Sequence, residues 1–337
     1  MSAASALLTC GGDADEEQPV ERGARLYAET CSLCHGERGE GYRADDAPRL
    51  TSPEFLSRAS DEFLRVAILQ GRPGTTMSAW ATERGGPLSA DDANAIVSFL
   101  RSIDGVPPVP LDPGGLAGDP ARARPIYEAE CRSCHGEKGE GGRYINLGNP
   151  VFLSSVTDAF LRDAISIGRA ATPMAAFDGK IPSSSIVDLV ALLRSWQRPI
   201  DGPETLPPRP GQLTNVVLNP GGPEPDLGSR PFVPADTVKA AMDRGATFVL
   251  ADARPPSDYS GGHIAGAISV PFYEVAPYLP QIPPERAVVV YCACPHAESG
   301  VAADAMRARG YARVMVLDEG FKVWRARNYP VRSGGKP

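Results

Sequence analysis

Apolar residues recur at helical spacing twice in the first two thirds of the chain. Ile96, Phe99, Leu100 and Ile103 fall on one face of a helix. Ser89-Ala90-Asp91-Asp92 opens that helix as a capping box, with Asp92 where Glu or Gln is usual. Ile186, Leu189, Val190, Leu193 and Trp196 trace the same stripe further on. Shorter helices are predicted over Glu21–Thr30 and Arg122–Glu130, the second starting near Pro125, since proline is tolerated in a first turn. Beyond about residue 235 the period changes. Helices over Ala235–Arg244 and Ser299–Arg309, each stopped by a glycine, alternate with apolar runs at Thr247–Leu250, Ala287–Tyr291 and Val314–Leu317. Short buried strands interleaved with helices predict a parallel α/β sheet.

The helical part repeats itself. Tyr27 and Tyr127 each precede a Cys-x-x-Cys-His by four residues, and Gly36-Glu37-Arg38-Gly39-Glu40-Gly41 matches Gly136-Glu137-Lys138-Gly139-Glu140-Gly141. Gly71-Arg72 leads to Met77 as Gly168-Arg169 leads to Met174. Shared order and spacing predict two tandem copies of one domain. Segments rich in Pro and Gly separate the parts. The expected division is a tether over 1–19, domains over 20–104 and 121–198 with a linker over 105–120, a linker over 199–234, and a third domain over 235–333. Ten prolines make the second linker stiff, and its length would let it drape over a neighbour.

Composition narrows the partners. A chain of 337 residues with formal net charge -7 is a poor match for nucleic acid or an anionic membrane surface. The sequence holds no run of 18 apolar residues and so no spanning helix. Small apolar residues up to Thr9, then Cys10 and an acidic stretch, resemble the end of a lipoprotein signal peptide. That resemblance implies a lipid anchor at Cys10, although a basic n-region is missing and the segment is short. The alternative is a disordered tail.

Four of the seven cysteines sit in Cys31-Ser32-Leu33-Cys34-His35 and Cys131-Arg132-Ser133-Cys134-His135. This is the attachment signature of c-type haem, in which two thiols add to the vinyl groups and the imidazole ligates iron. Zinc is the rival, but it wants four ligands, and no Cys or His follows the first motif before residue 131 or the second before His263. For the sixth iron ligand, Met77 is the sole Met, with no other His, Lys or Cys, between the first motif and residue 110. Met174 is the sole Met of the second copy, where Lys138 and Lys180 remain formal candidates. Thioether ligands filling both axial sites would suit electron transfer and two covalently bound haem c groups.

With these motifs the two copies resemble class I cytochrome c domains. The resemblance implies a small all-α fold whose first and last helices cross near the haem, attachment outside the cytoplasm, and a proline carbonyl that receives the proximal imidazole proton. Pro48 matches that proline in the first copy, and Pro150 is the nearest candidate in the second.

The third domain carries Asp252-Ala253-Arg254 after a strand, then Gly262-His263-Ile264-Ala265-Gly266-Ala267, Val289-Val290-Tyr291-Cys292, and Leu317-Asp318-Glu319-Gly320-Phe321 with Trp324. It resembles a rhodanese-like domain over nearly its full extent. The expected fold is thus multidomain: two all-α cytochrome c domains, then an α/β domain with a parallel sheet. A cysteine at a strand end feeding a helix faces backbone amides that favour thiolate. The resemblance implies that Cys292 accepts a sulfane sulfur, with Cys294 available as a resolving thiol. The loop has no Arg, and Glu298 stands where a related phosphatase loop would bind phosphate, so its charge is expected to repel an oxyanion. His296 would hydrogen-bond the sulfur or lie exposed, Asp252 and Arg254 would pair, and His263 would be structural.

These readings combine into an exported di-haem electron carrier that handles small sulfur compounds at Cys292 and meets redox partner proteins in an electron-transport chain. The alternatives are an electron carrier with an inactive binding module, and a redox sensor using Cys292 and Cys294.

Overall fold

The structure is a computed structural model that describes residues 17–42, 44, 47–200, 205–293 and 296–337. Cys10, Cys294 and Pro295 lie outside the described residues.

In the first copy, helix Pro19–Thr30 crosses helix Ala90–Asp104. The crossing is close because Gly23 has no side chain: a Cβ there would lie 1.9 Å from the Ala95 carbonyl oxygen. Ser89 caps the second helix as a full capping box, accepting from the Asp92 amide while the Asp92 carboxylate accepts from the Ser89 amide. Tyr27 is buried between the helices, its ring 5.2 Å from Phe99 and its hydroxyl donating to the Gly36 carbonyl at 2.9 Å. The second copy repeats the plan with helices Pro120–Glu130 and Ser183–Arg194, and Tyr127 donates to Gly136 at 2.8 Å. In each copy an arginine of the last helix ties down the middle of the domain. Arg101 donates to the carbonyls of Leu56 and Ala59, and Arg194 to those of Leu153 and Val156.

Helix Pro120–Glu130 starts five residues before the expected Pro125, which lies inside it. Asp119 caps the new start by accepting from the Ala121 amide at 2.9 Å. Pro125 is the sixth residue of this helix, so it forgoes the bond its amide would have made to the Ala121 carbonyl.

The third domain is a five-stranded parallel sheet in the order Phe232–Val233, Val314–Leu317, Val288–Tyr291, Val249–Asp252, Ile268–Ser269. The three central strands are buried along their whole length, as the apolar runs require. Two expectations shift. The strand predicted over Thr247–Leu250 runs from Val249 to Asp252, because the Thr247 amide and the Phe248 carbonyl bond to the linker at Pro223 and Leu218. The helix predicted to begin at Ser299 begins at Ala297 and ends at Arg307. The proline-rich linker drapes over this domain and supplies the edge strand Phe232–Val233, which is too short to show a period.

Gly→Ala within a helix ordinarily stabilises by about 1 kcal/mol. At Gly23 the added methyl must displace backbone, so Gly23→Ala should instead destabilise by about 1–3 kcal/mol. Thermal unfolding followed by calorimetry checks this, and a raised midpoint would contradict the crossing described.

Candidate functional site

Each Cys-x-x-Cys-His forms a single helical turn directly after the first helix of its domain, at Ser32–His35 and Arg132–His135. The His35 amide bonds to the Cys31 carbonyl at 3.0 Å, and the His135 amide to the Cys131 carbonyl at 3.0 Å. One turn thus brings both sulfurs and the imidazole together. His35 Nδ1 lies 2.9 Å from the Pro48 carbonyl oxygen. A carbonyl only accepts, so Nδ1 carries the proton and Nε2 is left as a bare lone pair. Among the described residues Nε2 has no hydrogen-bond partner. Burial pushes the pKa values of both imidazoles down, which keeps them neutral as a metal requires.

In the second copy the acceptor for His135 Nδ1 is the Ile145 carbonyl at 3.0 Å. Pro150 does not take this role. It opens helix Pro150–Ser155, where Asn149 caps it by accepting from Val151 and Phe152. Ile145 occupies the repeat position of Pro48, so the backbone carbonyl is what the site needs and the side chain is free to change.

Met77 and Met174 each close a six-residue turn built alike. The Arg72 amide donates to the Met77 carbonyl at 2.7 Å, Thr75 Oγ1 donates to the Arg72 carbonyl at 2.7 Å, and the Met77 amide returns to Thr75 Oγ1 at 3.1 Å. Arg169, Thr172 and Met174 repeat these bonds at 2.8, 2.8 and 3.2 Å.

Two orphaned polar atoms mark the same spot in both copies. Arg49 Nε and Asn146 Oδ1 are buried with no hydrogen-bond partner. They directly follow Pro48 and Ile145, the two imidazole acceptors. A group with polar substituents and a metal at its centre fits this set of unsatisfied atoms.

In the third domain Cys292 ends strand Val288–Tyr291 and is fully buried, with Sγ 3.2 Å from Ser299 Oγ. The Cys292 carbonyl accepts from the Phe321 amide at 2.8 Å, which fixes the loop against the following helix. Asp252 and Arg254 pair within the core at 2.5 Å, and Arg254 Cζ lies 4.3 Å from the Phe321 ring centroid. His296 turns away from the sulfur to Asp318, 2.9 Å from Nε2, and stacks on Phe232. His263 bonds to the carbonyls of Tyr259 and Lys336. Burial and the neighbouring Cys292 sulfur push the Glu298 carboxyl well above the usual range.

The Cys292 domain is seated on the first copy, against the residues that follow Met77. Ser78 Oγ donates to Asp258 at 2.6 Å, and Tyr273 Oη to the Gly85 carbonyl at 3.4 Å. The Trp80 ring lies 6.2 Å from Phe272 and 5.8 Å from Tyr273. Helix Ala297–Arg307, which follows the Cys292 loop, packs against the turn Ser32–His35.

The family model described as cytochrome C oxidase, cbb3-type, subunit III matches residues 18–100 and again 118–193. The rhodanese-like domain model matches residues 234–327. The chain carries two tandem cytochrome c domains followed by a rhodanese-like domain. The chain is 26% identical over 182 residues to the cbb3-type cytochrome c oxidase subunit FixP of Bradyrhizobium diazoefficiens, covering 52% of this chain and 60% of that protein. It is 25% identical over 202 residues to a thiosulfate dehydrogenase of Psychrobacter arcticus, covering 55% and 60%. It therefore spans about 60% of the length of these curated relatives. The rhodanese-like domain of the Alr3790 protein from Anabaena sp. is 27% identical, with a TM-score of 0.30, over 31% of this chain and 80% of that one.

Cytochrome c domains imply covalently bound haem c, and the paired thiols, bare Nε2 atoms and orphaned Arg49 and Asn146 fit that group. Sequence reasoning missed Arg49, Ile145, Ser78 and Asp258. Only Arg49 had a signal, as a charged residue directly after the matched Pro48. The rhodanese-like domain depends on its internal ion pair. Arg254→Met would leave Asp252 as a buried uncompensated charge and should destabilise that domain by about 3–5 kcal/mol. Urea unfolding followed by tryptophan fluorescence checks this, and an unchanged midpoint would contradict it.

Proposed function

We propose that this chain is an extracytoplasmic di-haem electron carrier whose rhodanese-like domain feeds it electrons from sulfur. His35 with Met77 and His135 with Met174 would ligate the two irons, and Cys31, Cys34, Cys131 and Cys134 would hold the two haems covalently. Bound haem supplies a one-electron couple. Pro48 and Ile145 orient the imidazoles through Nδ1, and the Arg72–Met77 and Arg169–Met174 turns present the thioethers.

The observation that carries the sulfur reading is the seating of the rhodanese-like domain on the first cytochrome domain. Its contacts fall on Ser78, Ala79, Trp80 and Gly85, directly after Met77, and on the His35 turn. A thiolate at Cys292 joining a hydrosulfide forms one S–S bond, giving a persulfide anion, one proton and two electrons. The proton would leave to water, and the two haems, held by Cys31, Cys34, Cys131 and Cys134, would supply the one-electron couples that accept the electrons. Ser299 Oγ, 3.2 Å from Sγ, holds the sulfur. The thiosulfate dehydrogenase relative, named for a sulfur-compound oxidation, supports the same reading. Among the described residues no helix is long and apolar enough to cross a membrane, so contact with redox partner proteins would be through exposed surface or an anchor such as Cys10.

Two experiments test this. With both haems loaded and reduced, carbon monoxide should bind one haem in Met77→Ala, the other in Met174→Ala, and neither in the parent; binding to the parent would overturn the ligand assignment. Second, sulfide is added to the oxidised protein while the haem bands are followed. Reduction should slow at least tenfold (about 1.4 kcal/mol or more in the barrier) in Cys292→Ser. Equal rates, with no sulfur transfer from the parent protein to cyanide, would leave an electron carrier with an inactive module.

A further inference from the structure

The two cytochrome domains meet across a seam of Phe55, Phe63, Phe152 and Phe160, with the Phe63 and Phe160 centroids 5.2 Å apart. Helix Asp61–Gln70 of the first domain packs there against helix Pro150–Ser155 of the second. Asn149 stands at the head of the second of these helices and is 0% exposed. Its side chain bonds in two directions. Oδ1 accepts from the Val151 and Phe152 amides, both at 3.1 Å, and so caps a helix of its own domain. Nδ2 donates across the seam to the Pro73 carbonyl at 2.9 Å.

The bonds themselves decide which end of the side chain is which. Two backbone amides need an acceptor, and a carbonyl needs a donor, so oxygen faces the helix and nitrogen faces Pro73. Pro73 follows Arg72 in the turn that ends at Met77. That turn is closed by bonds of its own, from the Arg72 amide to the Met77 carbonyl and through Thr75 Oγ1. The Asn149 bond reaches it from the other domain. Capping does not account for the residue type, since Asn, Asp and Ser cap about equally well. The first domain uses Ser52 in the same place, where its hydroxyl accepts from the Phe55 amide at 3.3 Å. What asparagine adds over either alternative is a donor beyond the capping oxygen. The second turn is held across the seam by a different bond, from Arg169 Nη1 to the Glu54 carbonyl at 3.3 Å.

We propose that Asn149 of the second domain is a positioning residue for Met77 of the first, so that the first haem site is completed by the neighbouring domain. The inference rests on the di-haem reading above, with Met77 as an iron ligand. For Met77 to withdraw, its turn must move outward and take Pro73 with it, which breaks the bond to Asn149. That bond therefore opposes the opening of the turn and the entry of any external ligand in place of the thioether.

The test is a titration of the oxidised, haem-loaded full chain with imidazole, read from the haem absorbance, after a pyridine haemochrome assay has counted two covalent haems. Met77→Ala and Met174→Ala assign the two binding phases to the two haems. A haem count other than two, or imidazole binding that Met77→Ala leaves unaltered, defeats the di-haem reading itself. Asn149→Ser and Asn149→Asp keep a capping oxygen and remove the donor. In both, imidazole should bind the first haem about three- to tenfold more tightly, the worth of one net hydrogen bond. The second haem should bind it as in the parent. Unchanged affinity at the first haem would overturn the proposal. So would a shift confined to the second haem or shared equally by both, because a residue that only caps its own helix would act there. If Asn149→Asp fails to load two haems, Asn149→Ser, which places at 149 the residue type that the first domain already uses, decides by the same outcomes.

Discussion

The seam between the first cytochrome domain and the rhodanese-like domain is the constraint on which the functional account depends. It is built from Ser78, Trp80 and Gly85 on one side and Pro256, Asp258, Phe272 and Tyr273 on the other. Trp80 is buried, and a Cβ at Gly85 would lie 2.8 Å from the Pro256 Cβ, so the two surfaces leave no room for a side chain there. A short hydrogen bond from Ser78 to Asp258, whose carboxyl burial pushes up, is a poor match for a sliding contact. The segment that closes the first Met turn is therefore held from outside its own domain.

Among the described residues the second copy has no such partner, and the differences between copies follow from that. Its Met turn is built by the same bonds, yet the residues after Met174 are exposed or only partly buried where Ser78, Ala79 and Trp80 are buried. On this account the copies are alike where they hold a haem and unlike where they meet a neighbour. In the proposed function the first would face the sulfur site and the second would present its exposed surface after Met174 to a redox partner.

Much of this was legible in the sequence because it depends on local period. The helical stripes through Ile96 and Leu189, the Ser89 capping box and the apolar runs of the sheet are all properties of neighbouring residues. The boundaries that moved did so for non-local reasons: Thr247 and Phe248 are claimed by the draped linker, and Asp119 opens a helix ahead of Pro125. The haem motifs announce themselves by spacing, but the acceptor for His135 does not. A backbone carbonyl serves whatever side chain it carries, so Pro150 drew attention by residue type and Ile145 did the work by position. Arg72 and Arg169 were visible as repeat markers, yet nothing in the sequence said that both would stack on phenylalanines at the seam between the copies. Glu298 read as an ordinary charge, and only its place beside Cys292 shows that its carboxyl is pushed up.

The most direct measurement is an anaerobic titration of the fully oxidised protein with substoichiometric sulfide, scoring reduced haem by absorbance and sulfur retained on Cys292 by mass spectrometry of the same samples. Transfer from sulfur through the seam predicts two haems reduced for each sulfur atom retained on Cys292, and neither event in Cys292→Ser. Haem reduction without sulfur retention, or with the same course in the variant, would contradict it.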